Sequence, residues 1–119
     1  MPRFRHLALL TENPERLAEF YQTVFEMKEV GRSPGAIYLS DGNINLALIT
    51  KTNIPDHQRP TGIYHFGFEV ENVDALRALC KELGAATDVQ KRPANREAEY
   101  RVYDPDGNPV DLSQHGWPI

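Results

Sequence analysis

The chain says almost the same thing twice. His6 opens the run HLALLTENPERLAEFYQTVFEM, and His65 opens HFGFEVENVDALRALCKELG, an offset of 59 between the two histidines that holds position by position. Asn13 pairs with Asn72, Leu17 with Leu76, Phe20 with Leu79 and Val24 with Leu83. Each half then carries an Asp-Gly-Asn turn ahead of a strand, Asp41-Gly42-Asn43 and Asp106-Gly107-Asn108. Two copies of one unit relate their matched residues by a pseudo-twofold axis. The two histidines and the polar residues after the turns are therefore expected to converge on one site.

Each half is about 60 residues, a size at which a lone core is marginal. One domain over 1–119 is expected, with module 1 at about 1–54, a linker at about 55–62 and module 2 at about 63–119. A hydrophobic fraction of 40% and a charged fraction of 25% suit a soluble globular protein. The net charge of −4 offers no basic face, which argues against nucleic acid as a partner. The sequence shows no apolar run long enough to cross a membrane and no signal-peptide core, so a cytoplasmic protein is expected. Cys80 is the single cysteine, which excludes an intrachain disulfide and any multi-cysteine metal site. Its place in a helical apolar pattern makes it a small core residue rather than a nucleophile.

Phe4 to Leu10 reads as a strand. Asn13 followed by Pro14 is a helix start, an N-cap side chain before a proline at the first helical position. Leu17, Phe20, Tyr21, Val24 and Met27 recur at helical spacing and form one apolar face. In the second copy Asn72 is the cap, Leu76, Leu79, Cys80 and Leu83 are the stripe, and Gly84 stands where a terminating glycine belongs. Strand candidates follow at Ala36 to Ser40, Asn43 to Thr50, Tyr100 to Tyr103 and Pro109 to Ser113, with the Asp-Gly pairs as hairpin signals. Each half thus runs strand, helix, then about three strands. Thr52 to Gly62 and Lys91 to Glu99 read as loops, and the second falls where module 2 is longer than module 1.

Strand side chains alternate between faces. Leu7 and Leu9, Phe66, Phe68 and Val70, Leu46 and Leu48, and Val110 and Leu112 belong under the helices. His6, Asn45, His65 and Asp111 then emerge on the helix-free face, beside the small residues Ala8, Ala47 and Gly67. Two imidazoles and a carboxylate form a sound ligand set for a divalent first-row metal and leave coordination positions for water or substrate. Asn45 would add a weak fourth oxygen, donate to a bound ligand, or face water.

These residues resemble the vicinal oxygen chelate superfamily of glyoxalases, methylmalonyl-CoA epimerases, extradiol dioxygenases and bleomycin and fosfomycin resistance proteins. The resemblance rests on the two repeated runs and, most specifically, on YRVYDPDGNPVDL. It implies an α+β fold of tandem βαβββ modules, a cup-shaped mixed or antiparallel sheet with helices on its outer face. It implies His6, His65 and Asp111 as metal ligands, with Asp111 one methylene shorter than the usual glutamate. Asn45 matches the first module's ligand position, usually Glu or Gln. An amide is no base, so two-base epimerisation is disfavoured and Asp111 is left as the catalytic carboxylate. Tyr103, Tyr100 and His115 are the candidate acid–base or substrate-contacting groups, and Arg92, Arg96 and Arg101 the candidates for an anion clamp.

The expected function is metal-dependent glyoxalase or dioxygenase-type chemistry, by lyase, isomerase or dioxygenase steps, on a small oxygen-chelating substrate, with Fe, Mn, Ni or Zn as the ion. The alternative is a metal-free module that binds an antibiotic-like molecule, with Trp117 and the tyrosines as its aromatic contacts. The resemblance also implies a homodimer, in some relatives with modules exchanged between chains.

Overall fold

The structure, a computed structural model, describes residues 1–56 and 58–119. The linker expected at about 55–62 includes position 57, which lies outside the described residues. Among the described residues, eight strands and two α-helices follow the predicted order twice. They are β1 (Arg3–Thr11), α1 (Pro14–Phe25), β2 (Lys28–Ser33), β3 (Ala36–Ser40) and β4 (Asn45–Thr50), then β5 (Gly62–Glu69), α2 (Val73–Glu82), β6 (Gln90–Lys91), β7 (Tyr100–Tyr103) and β8 (Pro109–Ser113). The α+β class and the βαβββ order are those read from the sequence. No described helix is long and apolar enough to cross a membrane.

The chain divides into two compact units, His6–Tyr64 with Pro118–Ile119, and His65–Trp117 with Met1–Arg5. In the first, the strand order is β2-β3-β4-β1. β1 and β4 are parallel, with His6 opposite Asn45 and Ala8 opposite Ala47, while β3 pairs antiparallel with both β2 and β4. Asn13 starts α1 by accepting from the Arg16 N–H, with Pro14 following as predicted. The helix packs Leu17, Ala18 and Tyr21 onto Leu7, Leu9, Ile37, Leu39, Leu46 and Leu48.

In the second unit the order is β5-β8-β7-β6. β5 and β8 are parallel, with Phe66 opposite Val110 and Gly67 opposite Asp111, and β7 and β8 form a hairpin. Asn72 caps α2 by accepting from Asp74 and Ala75. Leu76 and Cys80 pack with Phe66, Phe68, Val70, Val102, Val110 and Leu112. Phe4 belongs to this unit, stacked on Phe66 and edge-on to Phe68.

Both Asp-Gly turns make the hairpins they signal, with Gly42 and Gly107 at φ 92 and 85, a region that side chains avoid. The Ile44 and Asn43 N–H groups hold the Asp41 carboxyl below its usual range. Asp104 is lowered likewise, first by the Asn108 side chain and then by backbone N–H groups.

Two expectations are corrected. The apolar helical faces are narrower than the spacing suggested, because Phe20, Val24, Leu79 and Leu83 are each more than half exposed. The packed stripe follows the i, i+4 pairs Leu17–Tyr21 and Leu76–Cys80, and residues three positions on from Leu17 and Leu76 turn off it. The second strand of each module, counted in the expected order, had been given no residues. β2 reads KEVGRS, too polar to stand out, and β6 is only two residues long.

Candidate metal centre

In the first unit, His6 and Asn45 face each other across parallel β1 and β4, which puts both on the side away from α1. Both are buried, Asn45 completely at 0% exposure. The Asn45 Nδ2 donates to the Pro118 carbonyl at 2.8 Å, and its Oδ1 lies 2.9 Å from His6 Nδ1. A carbonyl only accepts, so the amide is oriented by Pro118, and its oxygen must accept from His6. Nδ1 of His6 therefore carries a ring proton, and Nε2 is the nitrogen that a neutral ring would offer to an ion. Such a hydrogen bond is how proteins prepare an imidazole for a metal. Asn45 is thus placed behind the His6 ring. With both amide ends engaged and no exposure, it orients His6.

In the second unit, Asp111 on β8 is sandwiched between two partners. Its Oδ2 lies 3.2 Å from His65 Nε2, and its Oδ1 accepts from Arg101 Nε at 2.5 Å. Arg101 is the cross-strand partner of Asp111 in the β7–β8 hairpin and is only 4% exposed. Its second guanidinium nitrogen lies 3.4 Å from His65 Nδ1. A guanidinium only donates and an ionised carboxylate only accepts. Both contacts thus require one tautomer of His65, with Nδ1 accepting from Arg101 and the proton on Nε2 donating to Asp111.

The His65–Asp111 spacing fits a metal site. First-row ions bind N and O donors at about 2.0–2.2 Å, which sets two donors at right angles about 3 Å apart. Arg101 leaves Oδ2 as the single carboxylate oxygen toward His65.

Sequence reasoning grouped Arg101 with Arg92 and Arg96 as a candidate anion clamp, whereas the structure sets it beside Asp111. The signal was present. Counting back from the Asp106-Gly107 turn pairs Tyr103 with Pro109 and Arg101 with Asp111. An arginine on the inward face of YRVY needs an anion beside it.

The other candidates separate by parity. Tyr103 shares the face of Arg101 and Asp111 and is half-buried. Tyr100 is opposite Leu112 and packs in the α2 core, with Arg77 5.6 Å above its ring. That corrects its expected place near the substrate, since alternation turns it to the helix side. His115 is 64% exposed, its Nδ1 bonded to the Gly116 carbonyl and its Nε2 3.4 Å from Glu99. It lies just past β8, where strand alternation no longer aims a side chain.

The room expected beside Gly67 is filled. A Cβ there would meet Trp117 Cη2 at 2.7 Å and Cζ2 at 2.9 Å. The indole covers the strand position opposite Asp111.

The two units define the paired βαβββ class of fold, each with a polar centre on the helix-free side of its strands. The profile of the Glyoxalase/Bleomycin resistance protein/Dioxygenase superfamily matches residues 3–112, and the chain belongs to that superfamily. Solved structures share the fold at low identity. A hypothetical protein of Bacillus halodurans C-125 is 18% identical with a TM-score of 0.73, over 93% of this chain and 92% of that one. Methylmalonyl-CoA epimerase from Mycobacterium tuberculosis is 16% identical with a TM-score of 0.69, over 92% and 85%. Homoprotocatechuate 2,3-dioxygenase from Arthrobacter globiformis is 24% identical with a TM-score of 0.71. There the match covers 98% of this chain and 37% of the dioxygenase, so this chain spans little more than a third of that enzyme's length.

Proposed function

We propose that the protein is a metalloenzyme acting on a small molecule with two neighbouring oxygens, and that His6, His65 and Asp111 hold one divalent first-row metal. The observation that carries this reading is the buried His65–Asp111 pair, with its N···O spacing of 3.2 Å. The tautomer that Asn45 imposes on His6 supports it, since Nε2 is then the ligating nitrogen. Superfamily membership supports it as well.

A bound Fe(II), Mn(II), Ni(II) or Zn(II) would polarise a chelated substrate and stabilise the anion that forms from it. The chain's own residues position and move protons. Asp111 gives one oxygen to Arg101 and turns the other toward His65, which makes it a poor proton carrier. Tyr103 shares that face and is the group we assign to proton transfer. Lyase or isomerase chemistry of this kind needs a polarising ion and one group that moves a proton.

The test is metal analysis. Protein incubated with each of the four ions and freed of excess should keep about one ion per chain. His6→Ala, His65→Ala and Asp111→Ala should each lose it. Wild-type protein that retains none of the four overturns the reading. A second reading, a metal-free binding module, is favoured by one observation: Arg101 already neutralises Asp111. It expects ligand-dependent fluorescence of Trp117 in chelator-treated protein.

A further inference from the structure

We propose that Arg101 is a resident cation that competes with the metal for the Asp111–His65 pair and sets how weakly the centre loads. The inference rests on the metal-site reading above and concerns a residue which that reading does not need. Arg101 opposes a metal in two ways. Its guanidinium sits 2.5 Å from one Asp111 oxygen, so the carboxylate charge that would attract a dication is already shared. The positive charge is itself buried, where repulsion between like charges is poorly screened.

The second way is the tautomer. Arg101 donates toward His65 Nδ1, and Asp111 accepts from Nε2. A neutral imidazole that ligates through Nε2 must carry its proton on Nδ1, where it would face the donor edge of Arg101. Arg101 and the metal thus require opposite tautomers of His65. His6 has no such conflict, because Asn45 already holds the tautomer that ligates through Nε2. The two histidines are prepared differently, and the difference traces to one side chain.

Arg101 is a positioning residue here, acting through Asp111 and His65. If its part were only to aim Asp111, its removal would weaken metal binding. If it competes, removal strengthens it. The experiment is Zn(II) competition against a chromophoric chelator for wild type, Arg101→Met and Arg101→Lys. Arg101→Met should bind Zn(II) about ten- to a hundred-fold more tightly, the range by which groups behind the ligands change metal affinity. Arg101→Lys keeps the charge and should stay within a few-fold of wild type.

Weaker or unchanged binding in Arg101→Met, with wild type binding normally, overturns this inference and leaves the metal site standing. None of Fe(II), Mn(II), Ni(II) and Zn(II) bound by either protein overturns the site and the inference together. If Arg101→Met does not fold without metal, nitrogen-15 spectra of wild type decide. The His65 ring proton should move from Nε2 to Nδ1 as Zn(II) is added, and the Arg101 Nε–H signal should shift with it. An unmoved Arg101 signal in zinc-loaded protein overturns the inference.

Discussion

His6 and His65 stand at matching positions of the repeat, both buried, both on the helix-free side of their strands. Their neighbours differ in kind. His6 faces an uncharged amide fixed by a backbone carbonyl, whereas His65 touches an ion pair between Asp111 and Arg101. The strand registers show why. In the first unit the polar residue on β4 lies opposite the histidine itself, Asn45 opposite His6. In the second it lies opposite the residue two further on, Asp111 opposite Gly67. The position that corresponds to Asp111 is Ala47, which pairs with Ala8. Duplication therefore fixed where the imidazoles stand, and each module's own partners fix which nitrogen carries the proton.

The largest effect expected from breaking this asymmetry is at Asp111. Asp111→Ala takes the carboxylate away from the buried Arg101 charge, a change that typically costs about 3–5 kcal/mol. Denaturant unfolding should show a loss of that size, and Asp111→Ala with Arg101→Met should recover much of it, because the buried positive charge goes with its carboxylate partner. Additive single-variant losses would mean that the two side chains do not act as a pair.

Gly67 offers a sharper and smaller test, since Ala8 fills the matching position with a buried methyl group. Making the second module like the first, Gly67→Ala, drives a Cβ into the Trp117 ring at 2.7 Å and to 3.1 Å from the Asp111 carbonyl oxygen. Overpacking of this kind costs about 1–3 kcal/mol. Trp117 is the only tryptophan, so its emission should shift to the red as the ring is displaced. Unchanged emission with unchanged stability would show that the indole does not press on this strand.

Much of this was legible in the sequence because it depends on parity and spacing. Leu7, Leu9, Phe66, Phe68, Val110 and Leu112 all pack under their helices, and alternation alone then turns His6, Asn45, His65 and Asp111 the other way. The turns and caps were legible because Asp-Gly and Asn-Pro have local mechanisms. Three things were not. The edge strands β2 and β6 carry no apolar alternation. Trp117 reaches Gly67 from a tail with no periodicity to aim it. Arg101 required the hairpin register to be counted through the turn before it could be set beside Asp111, and composition gave it no distinction from Arg92 or Arg96.

The smallest effect separates the two histidines most directly. In metal-free protein, nitrogen-15 spectra should show the proton on Nδ1 of His6 and on Nε2 of His65, two opposite tautomers at equivalent positions. Asn45→Ala removes the acceptor that fixes the first. It should cost about 1 kcal/mol, the low end for an unpaired buried group, because the vacated space can take a water. The His6 signals should then approach the mixture of tautomers of a solvated ring, while those of His65 stay in place. If both rings already share one tautomer in wild type, the asymmetry between the units fails. If Asn45→Ala leaves His6 unchanged, something other than the amide holds its proton.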